Sequence, residues 1–215
     1  MKIKKNLKLI KSEIPESVVL VAVSKTKPIE LVMDAYNCGH KIFGENKVQE
    51  MVLKWEKLPK DIEWHMIGRL QRNKVKYITP FVSLVHGVDS LKLLIEINKQ
   101  AIKNNRIINC LLQVNIAKED TKQGFRLNEL DLIFDKIKSL KNILIKGLMG
   151  MATFTSNISL IDSEFKLLKS KFDIYKLNNK EFDILSMGMS GDYINAINNG
   201  STMIRVGSKI FGERS

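Results

Sequence analysis

Along this chain, short β-branched runs alternate with segments whose apolar residues recur at three- and four-residue spacing. The runs are VVLVAVS (18–24), KIFGEN (41–46), EWHMIG (63–68), SLVHGVD (83–89), NCLLQVNI (109–116), NILIKGLMG (142–150), FDILSMGMS (182–190) and TMIRVGS (202–208). Each predicts a buried strand. Between them, Ile29, Val32, Met33 and Tyr36 trace one face of a helix, with Pro28 where a first turn tolerates it. Val48, Met51, Val52 and Trp55 trace a second, and Leu91, Leu94, Ile95, Ala101 and Ile102 a third, after the cap residues Asp89 and Ser90. Leu127, Leu130, Ile133, Phe134 and Ile137 form a fourth stripe, and Ile161, Phe165, Leu168 and Phe172 a fifth. Segments 71–79 and 191–199 predict weaker, shorter helices.

Strands that alternate with helices pair in parallel through right-handed crossovers. Eight such units close most naturally into a (β/α)8 TIM barrel, and 215 residues is near the lower size for one. An open doubly wound sheet would carry a glycine-rich turn after its first strand. Here that turn is SKTKP, without glycine. The expectation is one α/β barrel domain over residues 1–215.

Composition changes this picture little. The charge of +12 raises the prospect of a nucleic-acid partner, but the lysines are scattered, with no block of like charge and no aromatic platform. No apolar run reaches the roughly 18 residues of a membrane span. The opening MKIKKNLKLIKSEI lacks the apolar centre of a secretory signal. Cys38 and Cys110 show no metal or redox spacing, which suits a reduced cytoplasm.

In a TIM barrel, functional residues gather at the C-terminal strand ends. Strand one ends in Ser24-Lys25, strand two in Asn46, and strand three carries His65. SMGMSGD places Ser190 and Gly191 before a short helix that Ser190 can cap, and RVGSKIFG offers Gly207 and Ser208. Loops after strands seven and eight form the recurring phosphate site of such barrels. A partly desolvated lysine at the mouth favours its neutral, nucleophilic form. Lys25 opposite a phosphate site therefore suits an aldehyde-bearing phosphate, of which pyridoxal 5′-phosphate is the obvious cofactor. Arg205 has only donors to offer a pyridine nitrogen and would keep it unprotonated. A racemase or lyase using Lys25 and His65, and an aldolase using Lys146, stand as alternatives.

The stretches VAVSKTKP, FGENKVQE, WHMIGRLQRNK, VHGVDS, LLQVNIAKEDTKQGF, GLMGMA and LSMGMSGDYINAINNGSTMIRVGSKIFGER together resemble the pyridoxal phosphate homeostasis proteins. The resemblance runs from about Val18 to Arg214. It implies a barrel of the alanine racemase N-terminal-domain type, monomeric, with the cofactor held as a Schiff base on Lys25. It further implies phosphate contacts from Ser190, Gly207 and Ser208, an arginine at the pyridine in Arg205, and cofactor-lining residues in Asn46, His65 and Met187. The implied role is to carry and buffer pyridoxal phosphate in vitamin B6 and amino-acid homeostasis, without turnover, and to pass it to accepting apoenzymes.

Overall fold

The computed structural model describes residues 2–117 and 123–213. Residues 118–122, inside the LLQVNIAKEDTKQGF stretch, and Arg214 lie outside the described residues. Eight parallel strands close into a barrel in chain order: β1 (Val19–Val23), β2 (Ile42–Glu45), β3 (Glu63–Met66), β4 (Leu84–Val88), β5 (Ile108–Val114), β6 (Ile143–Gly150), β7 (Ile184–Ser186) and β8 (Met203–Val206). β8 returns to pair with β1, Val21 standing opposite Arg205. Helix α1 (Lys2–Glu13) precedes β1. The crossovers carry α2 (Ile29–Asn37), α3 (Val48–Lys57), α4 (Val75–Ile78), α5 (Leu91–Lys103), α6 (Leu130–Ile137), α7 (Ile158–Asn178) and α8 (Tyr193–Asn198), and α9 (Ser208–Phe211) follows β8.

Two apolar shells hold this architecture. Alternation along the strands sends Val21, Leu84, Leu111, Met149 and Met203 to a small cluster inside the barrel. The opposite faces pack Phe43, Trp64 and Leu185 against helix residues such as Phe165 and Phe172 in the larger outer cluster. Each such side chain, fully buried, contributes roughly 1.5–3 kcal/mol. Trp55 stacks on Phe81 with centroids 4.4 Å apart, so both tryptophans serve packing.

The structure departs from the sequence expectation in three places. The basic opening segment is a helix, because Ile3, Leu7 and Ile10 fall on one buried stripe while the lysines face solvent. That helix braces the far end of the chain. The Asn6 side-chain amide donates to the Ile210 carbonyl at 2.9 Å, and the Tyr193 hydroxyl donates to Glu13. Second, β7 is three residues long rather than nine. Gly188, at φ +87°, turns the chain out of the sheet, and a Cβ there would fall 2.6 Å from the Ala196 Cβ. Third, Ser90 sits at the N-cap of α5 in extended backbone, but its side chain makes no capping bond. Among the described residues, no helix is long and apolar enough to cross a membrane.

Candidate functional site

Toward the C-terminal ends of the strands the barrel interior turns from apolar to polar. Arg205, on β8, is buried; one terminal nitrogen donates to the Ser186 carbonyl at 2.9 Å and to its hydroxyl at 2.6 Å, and the other to the Gly150 carbonyl at 3.1 Å. The chain of polar groups continues from Ser186 Oγ to Nδ1 of His86 at 3.1 Å, and from Nε2 of His86 to Nδ1 of His65 at 3.1 Å. One direction satisfies every link: Arg205 donates to Ser186, Ser186 to His86, and His86 through its Nε2–H to His65. Burial pushes His65 down to about 3, and burial with the neighbouring His65 and Arg205 pushes His86 well below the ordinary range. Both imidazoles are therefore neutral. Burial also lowers Arg205 to about 10, with Asp192 opposing, which leaves it charged near neutrality.

Above this layer opens a cavity of about 440 Å³, within the size of small-molecule sites. Its wall brings together Lys25, Asn46, Ser190, Arg205, Gly207 and Ser208 from four separate places in the sequence. Ile67, Met151, Phe154 and Met189 add an apolar rim, and Lys27 stands beside Lys25. A larger hollow of about 630 Å³, walled by Arg69, Arg72, Asp89 and Lys92, contains none of the sequence-predicted residues.

Two predicted residues stand outside the wall. His65 lies one interior layer lower, engaged with His86, and Ile67, two residues further on the same strand face, takes the position at the mouth. Met187 follows Ser186 on the opposite face, so its fully buried side chain joins the outer core. Lys146 is remote as well: it sits early on β6, ion-paired with Glu181 at 3.0 Å and Asp183 at 3.4 Å.

The loops after β7 and β8 are tied through Ser190. It does not cap α8; Asp192 occupies that cap position, and its carboxylate accepts from the Met189 N–H at 2.6 Å. The Ser190 hydroxyl instead accepts from the Gly207 N–H at 3.1 Å. Gly207 lies close against β1, where a Cβ would come 3.1 Å from the Val23 carbonyl oxygen. Two hydroxyl side chains, two glycine-bearing loops and the start of a helix thus line the cavity together.

The part of the wall that Lys25 contributes is built with charge. Lys25 follows β1 in a turn whose next residue, Thr26, is left-handed at φ +65°. For a β-branched residue that conformation costs about 1–2 kcal/mol. Beneath the turn, Lys54 of α3 is buried and donates to the Ser24 carbonyl, to Glu45 and to Glu50, each at 2.7 Å. Glu45 also accepts from the Ser24 hydroxyl at 2.5 Å, and Glu50 from the Thr26 N–H at 2.6 Å. Burial pushes Glu45 up to about 7, outweighing the pull of Lys54. Sequence reasoning missed Lys54 and Glu50, which no periodic signal connects to Lys25, and it missed Lys27, which lies in the quoted SKTKP turn.

A family model described as the alanine racemase N-terminal domain matches residues 1–215. Among curated proteins, the pyridoxal phosphate homeostasis protein of Aquifex aeolicus is 42% identical over 91% of this chain and 86% of its own length. That of Haemophilus influenzae is 37% identical over 100% of this chain and 97% of its own. Among solved structures, Synechococcus elongatus PipY with pyridoxal phosphate bound superposes with a TM-score of 0.89 at 32% identity, covering 98% of this chain and 100% of PipY. The alanine racemase of E. faecalis shares the fold alone, with a TM-score of 0.78 at 18% identity over 99% of this chain and 58% of that one. On sequence and on fold together, the chain belongs to the pyridoxal phosphate homeostasis protein family.

Proposed function

We propose that this protein binds pyridoxal 5′-phosphate in the 440 Å³ cavity and serves to hold and release it in vitamin B6 homeostasis, with Lys25 as the point of covalent attachment. The observation that carries this reading is the single cavity wall shared by Lys25, Arg205 and the Ser190–Gly207–Ser208 loops. The wall carries both an amine and an anion cradle, so a ligand with an aldehyde and a phosphate meets a partner for each. When bound, the cofactor supplies a carbonyl that combines reversibly with amines and a ring that withdraws electrons. The relatives named for pyridoxal phosphate homeostasis and the PipY structure with that ligand support the same assignment.

The residues favour retention over turnover. Arg205 spends three of its N–H donors on Ser186 and Gly150 and carries no acceptor, so it would hold a ring nitrogen placed against it unprotonated and weaken the ring's electron withdrawal. The alternative racemase or lyase needs a second acid–base group at the mouth. His65, the candidate, is neutral, buried below the wall and engaged with His86. The aldolase alternative relies on Lys146, which is ion-paired away from the cavity. We further propose that the carrier works as a cytoplasmic monomer and hands its ligand to accepting apoenzymes.

The test is the visible spectrum of the protein mixed with pyridoxal phosphate, wild type beside Lys25→Ala, followed by borohydride reduction and peptide mapping. The expected result is a violet-region band in the wild type only, with the adduct on Lys25. An adduct on Lys146, or no band, overturns the assignment. Incubation of the loaded protein with L- and D-amino acids in deuterated water is expected to leave the α-position unlabelled.

A further inference from the structure

Four charged or hydroxyl side chains are packed beneath the Lys25 turn, away from the cavity wall. The Lys54 ammonium has three N–H donors and meets three acceptors: the Ser24 carbonyl, Glu45 and Glu50. Each acceptor leads back to the turn. Ser24 is held twice, through its carbonyl by Lys54 and through its hydroxyl by Glu45. Thr26 is held through its N–H by Glu50. Thus the residues immediately before and after Lys25 are both fixed, and the second keeps a left-handed backbone that an L-residue with a branched side chain rarely adopts. The turn contains no glycine that would make this shape easy.

We infer that the Glu45–Lys54–Glu50 cluster is a positioning element for Lys25, fixing the turn so that the amine is delivered to the cavity rather than to solvent. The inference rests on the reading that Lys25 is the attachment point. None of the three residues lines the cavity, so they act through the backbone of Ser24 and Thr26. Two levels of the chain meet here. β2 contributes Glu45 at its end, and the first two turns of α3 place Glu50 and Lys54 four residues apart on one face. The unit that follows β1 in the barrel thereby sets the geometry of the residue that follows β1 in the sequence.

The experiment compares wild type, Glu50→Ala, Glu50→Gln and the uncharged pair Lys54→Met/Glu45→Gln. Each is mixed with pyridoxal phosphate, quenched with borohydride at intervals and mapped for the adduct on Lys25. Inorganic phosphate serves as a competing probe of the anion loops. The expected result is an attachment rate about tenfold slower in Glu50→Ala and in the double variant. Glu50→Gln, which keeps an oxygen for the Thr26 N–H, should recover most of the rate. Phosphate affinity should stay within twofold throughout. Wild-type attachment rates in both slowed variants, or a parallel loss of phosphate affinity, overturn the inference. If circular dichroism shows Glu50→Ala unfolded, the double variant decides by the same criteria. A wild type that forms no adduct on Lys25 refutes the attachment reading instead, and the two failures are distinct.

Discussion

Two regions of the cavity wall, the lysine turn and the anion loops, solve opposite problems by opposite means. At the lysine turn, a loop without glycine is forced into shape by the buried Glu45 and Lys54 and the half-buried Glu50, from β2 and α3. At the anion loops, Gly188 and Gly207 let backbone approach backbone, and one serine joins the loops with a single hydrogen bond. Placing one flexible amine requires that its neighbours be held, because the lysine stem has no fixed geometry of its own. Surrounding a phosphate requires many short-range donors, which only a close backbone supplies. The response to protons differs across the site as well. Burial pushes Glu45 up beside the lysine turn, while the histidines of the polar layer under the cavity are pushed down.

The largest expected effect tests the backbone argument. Gly188→Ala would place a methyl 2.6 Å from the Ala196 Cβ and 2.9 Å from the Tyr193 Cα, at a positive φ. It should cost about 2–4 kcal/mol in urea denaturation and weaken phosphate binding with it. Next is the proton response, read from stability across a pH series. Glu45 is raised from 4.5 to about 7 in the fold, facing Lys54 and Glu50, so its contribution is present below pH 4.5 and lost as pH rises through 7. His65 is lowered from 6.5 to about 3, so its contribution is present above pH 6.5 and lost as pH falls toward 3. Glu45→Gln should flatten the first slope and His65→Asn the second, each by something on the order of 1–3 kcal/mol. Slopes of the same sign would dissolve the contrast between the lysine turn and the histidine layer.

Ser190→Ala should weaken inorganic phosphate binding about tenfold in calorimetry while stability changes by no more than about 1 kcal/mol. The smallest effect belongs to Gly191→Ala, three residues beyond Gly188, where a Cβ would meet nothing within 4 Å. Its cost should stay within about 0.5 kcal/mol. If it matched Gly188→Ala, the loop's backbone shape would not be what builds the anion cradle.

Most of the barrel was readable because it depends on local periodicity. Eight apolar runs and the stripes between them carry their own signal, and parallel closure follows from their alternation. Helix α1 was readable too, from Ile3, Leu7 and Ile10, yet its lysine content drew attention to charge instead. The end of β7 was harder, since a glycine in SMGMS marks a turn only once Ala196 and Tyr193 are known to lie behind it. On the cavity wall, strand ends account for Lys25, Asn46, Arg205, Gly207 and Ser208, because position in a barrel decides what reaches the mouth. His65 and Met187 were expected among the cofactor-lining residues, but neither borders the cavity: one is a layer too low, the other faces outward. The cluster under Lys25 had no sequence signature, because its contacts cross from one βα unit to the next and follow no repeat.

The brace formed by α1 has a practical consequence. Asn6 grips the helix that Ser208 begins, and Glu13 grips the helix that follows Ser190, although no residue of α1 lines the cavity. Whatever lifts the first thirteen residues, whether a bulky fusion, a protease or a chaperone pulling on that end, would slacken both anion loops together. Release of a bound phosphate ester could then be triggered mechanically from the outer surface of the barrel, without any competitor entering the mouth.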